Sequence, residues 1–158
     1  MRKKIIGGCL LVSMLFNCID VNAYSTIKRM PIDKIEQQSK LQQYSDWEID
    51  LIALVTMAEA EGEPEEGQRL VIDTILNRKD QKYFPDSIYE VVYQPCQFSS
   101  MWNGRVNRCF VKNDIRKLVI EEIESRTNNK VVFFRTTRYS DYGVPNIQVG
   151  HHYFSSYN

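Results

Sequence analysis

Between Ala58 and Pro64 the chain reads AEAEGEP, which packs Glu59, Glu61 and Glu63 into a short acidic run closed by Gly62 and Pro64. Carboxyl groups brought together at a helix junction can hand a proton to a substrate and take one back, the chemistry of general acids and bases. A solvated acidic turn is the other reading, because acidic residues crowd into helix starts to meet the positive end of the macrodipole. Two further groups of residues could do chemistry: the neighbours His151 and His152, and the cysteines Cys96 and Cys109. Adjacent side chains on a strand point to opposite faces, so the two histidines do not serve one metal ion, and no zinc-ligand spacing occurs. One histidine is expected to line a cleft and the other to face solvent or core. A cysteine nucleophile with His152 as its base is conceivable, but nothing local lowers a thiol pKa. The chain carries no GxSxG elbow, P-loop or dinucleotide fingerprint, and neither a metal nor a cofactor is implied.

The elements that would position these residues can be read from spacing. Ser45 followed by Glu48 has the form of a capping box, and Trp47, Leu51, Leu54, Val55 and Ala58 recur behind it at intervals of three and four. The helix this predicts carries Glu59 in its last turn, one residue past the apolar stripe, where a carboxylate lies at the border of core and cleft. Partial desolvation there favours the protonated form that a general acid needs. Gly62 suits the helix stop and Pro64 the first position of a second helix, with Glu65 and Glu66 at its positive end and Leu70, Val71, Ile75 and Leu76 buried as far as Asn77. Position thus explains Glu65, Glu66 and even Glu63. It does not explain Glu59, which sits where the macrodipole opposes a negative charge.

Asp86 is expected to cap a short helix through Val92. The run YQPCQFSSMWNGR from Tyr93 to Arg105 mixes aromatics with short polar side chains and holds an Asn103–Gly104 turn signal. It reads either as a sugar-binding surface or as a hairpin with Phe98 and Trp102 half-buried. Asn113 or Asp114 is expected to cap a third helix carrying Ile115, Leu118, Val119 and Ile123 on one face. Strands are predicted at 131–134 and 149–154, with a loop around Asp141, Tyr142, Gly143 and Pro145. Helices first and a small sheet after make the class α+β.

At 158 residues the chain has room for one domain. Arg2, Lys3 and Lys4 precede an apolar run from Ile5 to Phe16, and Val21, Asn22 and Ala23 stand at cleavage spacing, so residues 1–23 read as a secretory signal peptide. The run is shorter than the roughly 20 apolar residues of a membrane span. Cleavage removes three of the 20 basic and one of the 20 acidic side chains, leaving a slight acidic excess and no electrostatic footprint for nucleic acid. Residues 24–45 are a polar linker leading into an amphipathic segment, and 46–158 the functional domain. Cys96 and Cys109 could form a disulfide outside the cytoplasm, worth about 3 kcal/mol in the chain-entropy picture, or stay as two free thiols.

Taken together, AEAEGEPEEGQ from Ala58, ILNR from Ile75, FP at Phe84, VVYQPCQFS from Val91 and VGHHYF from Val149 resemble the spore cortex-lytic cell wall hydrolase family. The likeness runs from about Asp46 to Phe154. It implies a lysozyme-like helical lobe with a small antiparallel sheet. The implied activity is that of a secreted, cell wall lytic transglycosylase cutting the bond between N-acetylmuramic acid and N-acetylglucosamine in peptidoglycan. A hydrolytic muramidase and a non-catalytic peptidoglycan-binding protein are the alternatives. The family's catalytic glutamate, in its EARGE block, falls on Glu59 and the second glutamate of that block on Glu63. With Gln97, Phe98, Ser99 and His152, Glu63 is expected to line the substrate cleft. The sequence departs from the family at Glu61, often Arg, at Cys96, commonly Gly, and at His151, usually Asn.

Overall fold

The computed structural model describes residues 31–157. The leader expected at 1–23 lies outside them, as does the first part of the linker expected at 24–45. In chain order the elements are α1 (Ile32–Leu41), α2 (Asp46–Ala60), α3 (Glu65–Asp80), α4 (Ile88–Val92), 3-10 turns at Ser99–Met101 and Val106–Arg108, α5 (Asn113–Glu124), β1 (Val131–Arg135), β2 (Val144–Val149) and β3 (His152–Ser156). The chain from Glu36 onward is one compact unit. Among the described residues no helix is long and apolar enough to cross a membrane.

Helix α2 begins where its capping box predicts. The Ser45 hydroxyl accepts from the Glu48 N–H, while the Glu48 carboxylate takes the Ser45 N–H at 2.8 Å. Such a cap is worth about 1 kcal/mol. The helix is buried on most sides rather than along one stripe, because α3, α4, α5 and both 3-10 turns pack around it. Trp47, expected in the apolar stripe, lies instead on its exposed side. Gly62 and Pro64 break the chain as predicted, but Pro64 is the N-cap and not the first helical residue, and α3 starts at Glu65.

The last turn of α3 joins helices to sheet. Asn77 Nδ2 donates to the carbonyls of Asn128 and Val131 at 2.8 and 2.9 Å, and Arg78 Nε donates to Val132 at 2.6 Å. The Arg78 guanidinium is covered by the rings of Phe84, Phe98 and Phe133. The ILNR block therefore ends in two side chains that bind β1. Two apolar clusters result, one among the helices and one where Ala60, Leu70 and Val71 meet Val131, Val149 and Phe154 of the sheet. Phe134 packs against both.

The sheet is antiparallel with order β1-β3-β2, one strand more than expected. The loop predicted around Pro145 gives way to strand β2, which tolerates a residue without an N–H because it lies at the sheet edge and its register shifts between Pro145 and Ile147. What ends β2 is Gly150, in the left-handed region at φ 55°. A Cβ there would collide with the Glu63 carboxylate.

Three smaller expectations are corrected. Ser87, not Asp86, caps α4, through its hydroxyl and the Glu90 N–H. Neither Asn113 nor Asp114 is the N-cap of α5; Lys112 holds that position, with no side-chain hydrogen bond, and Asp114 Oδ1 accepts from the next residue's N–H. The stretch 93–109 forms two 3-10 turns in place of a hairpin, since no second strand lies opposite to pair with it.

Candidate active site

Glu59 stands on the last turn of α2, at the place where the helical cluster gives way to the sheet cluster. Its neighbours on the helix are buried, while it is half-buried. Across from it, the 3-10 turn Ser99–Met101 presents Ser100, whose hydroxyl and N–H both donate to Glu59 Oε1, at 2.6 and 3.2 Å. Ser100 is itself buried. These two bonds fix the carboxyl in one orientation. Oε2 makes no hydrogen bond among the described residues.

Glu63 is held quite differently. It lies beyond the helix end, where its N–H donates to the Ala60 carbonyl. Both carboxylate oxygens are engaged by the turn between β2 and β3: the His151 N–H donates to Oε2 at 2.9 Å, and His151 Nδ1 lies 3.0 Å from Oε1, donating there when it carries the proton. Burial pushes the Glu63 carboxyl up, but the His151 bonds and the two imidazoles together outweigh it and hold the group below its usual range. Glu63 is thus an ionised tether for the turn.

The strand expected over 149–154 is broken by the Gly150–His151 turn, so His151 faces solvent from the turn while His152, the first residue of β3, is 2 % exposed. The His152 ring packs against Phe134 and Phe154 at centroid distances of 5.0 and 5.8 Å. Burial drives its imidazole down, against the smaller upward pull of Glu63 and Glu59. The ring is therefore neutral at neutral pH, and its Nδ1 is buried without a hydrogen-bond partner among the described residues.

A cleft of about 600 Å³ runs beside the turn, lined by Gln97 and Ser99 with Phe134, Arg135, Ser140 and Tyr142. Gln97 and Ser99 are exposed there. Phe98 differs from the expectation of an open ring: it is buried between Phe134 and Arg78 and supports the cleft as its floor. The residue that sequence reasoning missed is Ser100. The block QFSS offers two adjacent hydroxyls, and only the fold decides which one meets the carboxylate.

The bridge considered between Cys96 and Cys109 is not formed; both thiols are free. Cys96 occupies an exposed left-handed position at φ 64°, and the Cys109 thiol points to the Arg105 carbonyl at 3.5 Å. The left-handed backbone is one where a glycine fits without strain, so the cysteine at this position is held at a cost.

Residues 62–155, more than half of the chain, match the family described as cell wall hydrolase. That span opens three residues after Glu59. Among curated proteins, the spore cortex-lytic enzyme of Oceanobacillus iheyensis is 40% identical over 65 residues, which is 41% of this chain and 24% of that protein. The Bacillus subtilis spore cortex-lytic enzyme is 36% identical over 63 residues, 40% of this chain and 21% of the relative. The chain thus spans about a quarter or less of the length of these relatives. Among solved structures, the catalytic domain of the germination-specific lytic transglycosylase SleB from Bacillus anthracis aligns with a TM-score of 0.62 and 26% identity, covering 72% of this chain and 97% of that one. The Bacillus cereus SleB catalytic domain gives 0.63 and 27%, covering 72% and 92%.

Proposed function

The chain belongs to the cell wall hydrolase family, and on that premise we propose that it is a peptidoglycan lytic transglycosylase with Glu59 as its single acid and base. Residues 1–23 direct its secretion, and 46–158 form the catalytic domain that works on the wall. The observation that carries the reading is the contrast between Glu59 and Glu63 in the AEAEGEP run. Glu59 has one oxygen fixed by Ser100 and one open, whereas both oxygens of Glu63 are occupied by His151.

Ordinary glycoside hydrolysis uses two carboxyl groups, one to protonate the leaving oxygen and one to activate water or attack the sugar. With Glu63 committed to the turn, one carboxyl remains. Glu59 protonates the glycosidic oxygen as the bond to C1 of N-acetylmuramic acid breaks, and N-acetylglucosamine leaves with a free 4-hydroxyl. The carboxylate so formed takes the proton of the muramic C6 hydroxyl, whose oxygen closes on C1 to give a 1,6-anhydro end. No water is consumed and the carboxyl is restored. Ser100 keeps Oε1 in place through both transfers, and Gln97 and Ser99 supply amide and hydroxyl groups for the sugars along the cleft. Acid and base work of this kind contributes about 100- to 10,000-fold.

Mass spectrometry of fragments released from purified peptidoglycan tests the reading. Anhydro-muropeptides are the expected product. Reducing muropeptides would mean a muramidase, with water in place of the C6 hydroxyl, and binding without release would mean a non-catalytic wall protein.

A further inference from the structure

Four aromatic side chains from three separate parts of the chain meet on one surface. Trp47 comes from the first turn of α2, Tyr89 and Tyr93 from α4 and its end, and Trp102 from the residue that closes the 3-10 turn holding Glu59. Consecutive ring centroids lie 6.2, 4.6 and 6.0 Å apart, so the four make an unbroken strip. Trp47, Tyr89 and Trp102 are 57 %, 53 % and 60 % exposed. Leaving this much aromatic surface open to water is unfavourable for a monomer and marks an interaction surface.

We propose that this strip is a second glycan-binding surface, which carries the peptidoglycan strand away from the cleft along the outside of α2. The inference rests on the glycan-cleaving reading of Glu59. Three features favour a sugar strand as the occupant. The strip is continuous with the candidate site: Trp102 follows directly on the turn that supplies Ser100, and its N–H donates back to the Ser99 carbonyl of that turn. Trp47 and Tyr89 are 30° from parallel while Tyr93 meets Trp102 edge-on at 84°, so the strip offers a strand the exposed surfaces of Trp47, Tyr89 and Trp102 along one line, with Tyr93 joining them. Polar residues follow two of the rings in the chain, Gln94 after Tyr93 and Asn103 after Trp102, as suits a ligand whose rings are apolar on their faces and hydroxylated at their rims. Aromatic side chains with a polar end serve such mixed surfaces well.

A polymer bound in this way is gripped over several sugars beyond the one being cut. Short fragments reach only the cleft, while long strands reach both. The test uses the full chain and the double variant Trp47→Ala/Tyr89→Ala, which leaves Trp102 and the Ser100 turn intact. Turnover on long glycan strands is compared with turnover on the shortest fragment that is cut, alongside co-sedimentation with insoluble peptidoglycan and sedimentation velocity of the protein alone. The expected result is a fall of about tenfold in the ratio of long-strand to short-fragment turnover, with weaker retention on peptidoglycan. An unchanged ratio overturns the proposal, and so does an equal loss on both substrates. A parent that self-associates through these residues while the double variant does not also overturns it, because the strip is then an interface between copies. If the parent cuts nothing, the catalytic reading fails on its own. Co-sedimentation then decides the strip: retention lost in the double variant supports it, and retention kept overturns it.

Discussion

The protein holds two acidic centres built on opposite terms. At the end of α2, Glu59 and Glu63 stand near the surface, one held by a serine and one by a turn. Between α3 and α5, Asp73 and Glu122 are fully buried. Glu122 meets Arg69 at 2.8 Å and takes the Thr127 N–H and hydroxyl, while Asp73 Oδ2 accepts the Asn128 N–H at 2.7 Å. Burial first, and then the Glu122 carboxylate, push the Asp73 carboxyl up to about 8. Its Oδ1 has no hydrogen-bond partner among the described residues, and the neighbouring Glu122 carboxylate is where the retained proton can be shared. The largest carboxyl shift therefore belongs to a structural cluster that clamps two helices and the loop at 125–128. A perturbed acid does not by itself mark chemistry; ion-pair networks perturb acids too. What distinguishes Glu59 is a carboxyl oxygen left open among the described residues, beside the Ser99–Met101 turn whose Ser99 borders the cleft.

The largest effect expected from breaking this contrast is at Glu59. Glu59→Gln keeps the shape and the Ser100 bonds but cannot exchange a proton, so turnover should fall at least about 100-fold with thermal unfolding little changed. The buried centre should behave the other way. Glu122→Ala takes the acceptor away from the Thr127 N–H and hydroxyl and removes one of the three carboxylates on Arg69, and should cost about 2 kcal/mol of stability by denaturant unfolding, with turnover per folded molecule largely retained.

The pH dependence sharpens the same contrast. With Asp73 raised to about 8 against an unfolded value of about 3.9, the folded protein retains a proton that the unfolded chain gives up. The stability this contributes is fully present below the unfolded value and is lost as pH rises towards 8. Melting temperatures of the parent should therefore decline from pH 5 to pH 8 more steeply than those of Asp73→Asn, which keeps the geometry without the titration. Glu63 has the opposite sign, since its carboxyl is lowered. Its tether is in force above the unfolded carboxylate value and weakens as pH falls through the folded one.

The smallest effect is at Cys96. Cys96→Gly relieves the left-handed backbone and should stabilise the fold by about 1 kcal/mol, read as a shift in the denaturation midpoint. No change there would mean that the local turn relaxes without strain.

These centres were unequally visible in the sequence. Helix α2, its cap and its break at Gly62 and Pro64 follow from neighbours in the chain, and so does the oddity of a glutamate at a helix C-terminus. The partners of that glutamate do not. Ser100 lies 41 residues away, and local spacing cannot choose between it and Ser99. His151 reaches Glu63 across 88 residues, through a turn that only Gly150 allows. The Asp73 cluster was invisible for the same reason: Arg69, Asp73 and Glu122 read as polar positions on two amphipathic helices until packing brings them face to face. Strand β2 was missed because Pro145 argues against a central strand, and position at a sheet edge is a property of the whole sheet. The three departures from the family become intelligible only in the fold. Glu61 pairs with Lys112 at 2.9 Å, Cys96 strains a turn, and His151 holds Glu63.

The most direct measurement of the central claim places Glu59→Gln and Glu63→Gln side by side on purified peptidoglycan and follows anhydro-muropeptide release by mass spectrometry. The single-carboxyl account predicts anhydro products from the parent, none from Glu59→Gln, and a reduced but clear yield from Glu63→Gln, where only the turn is loosened. A Glu59→Gln protein that still releases them, or a Glu63→Gln protein that is equally dead while folded, would contradict it.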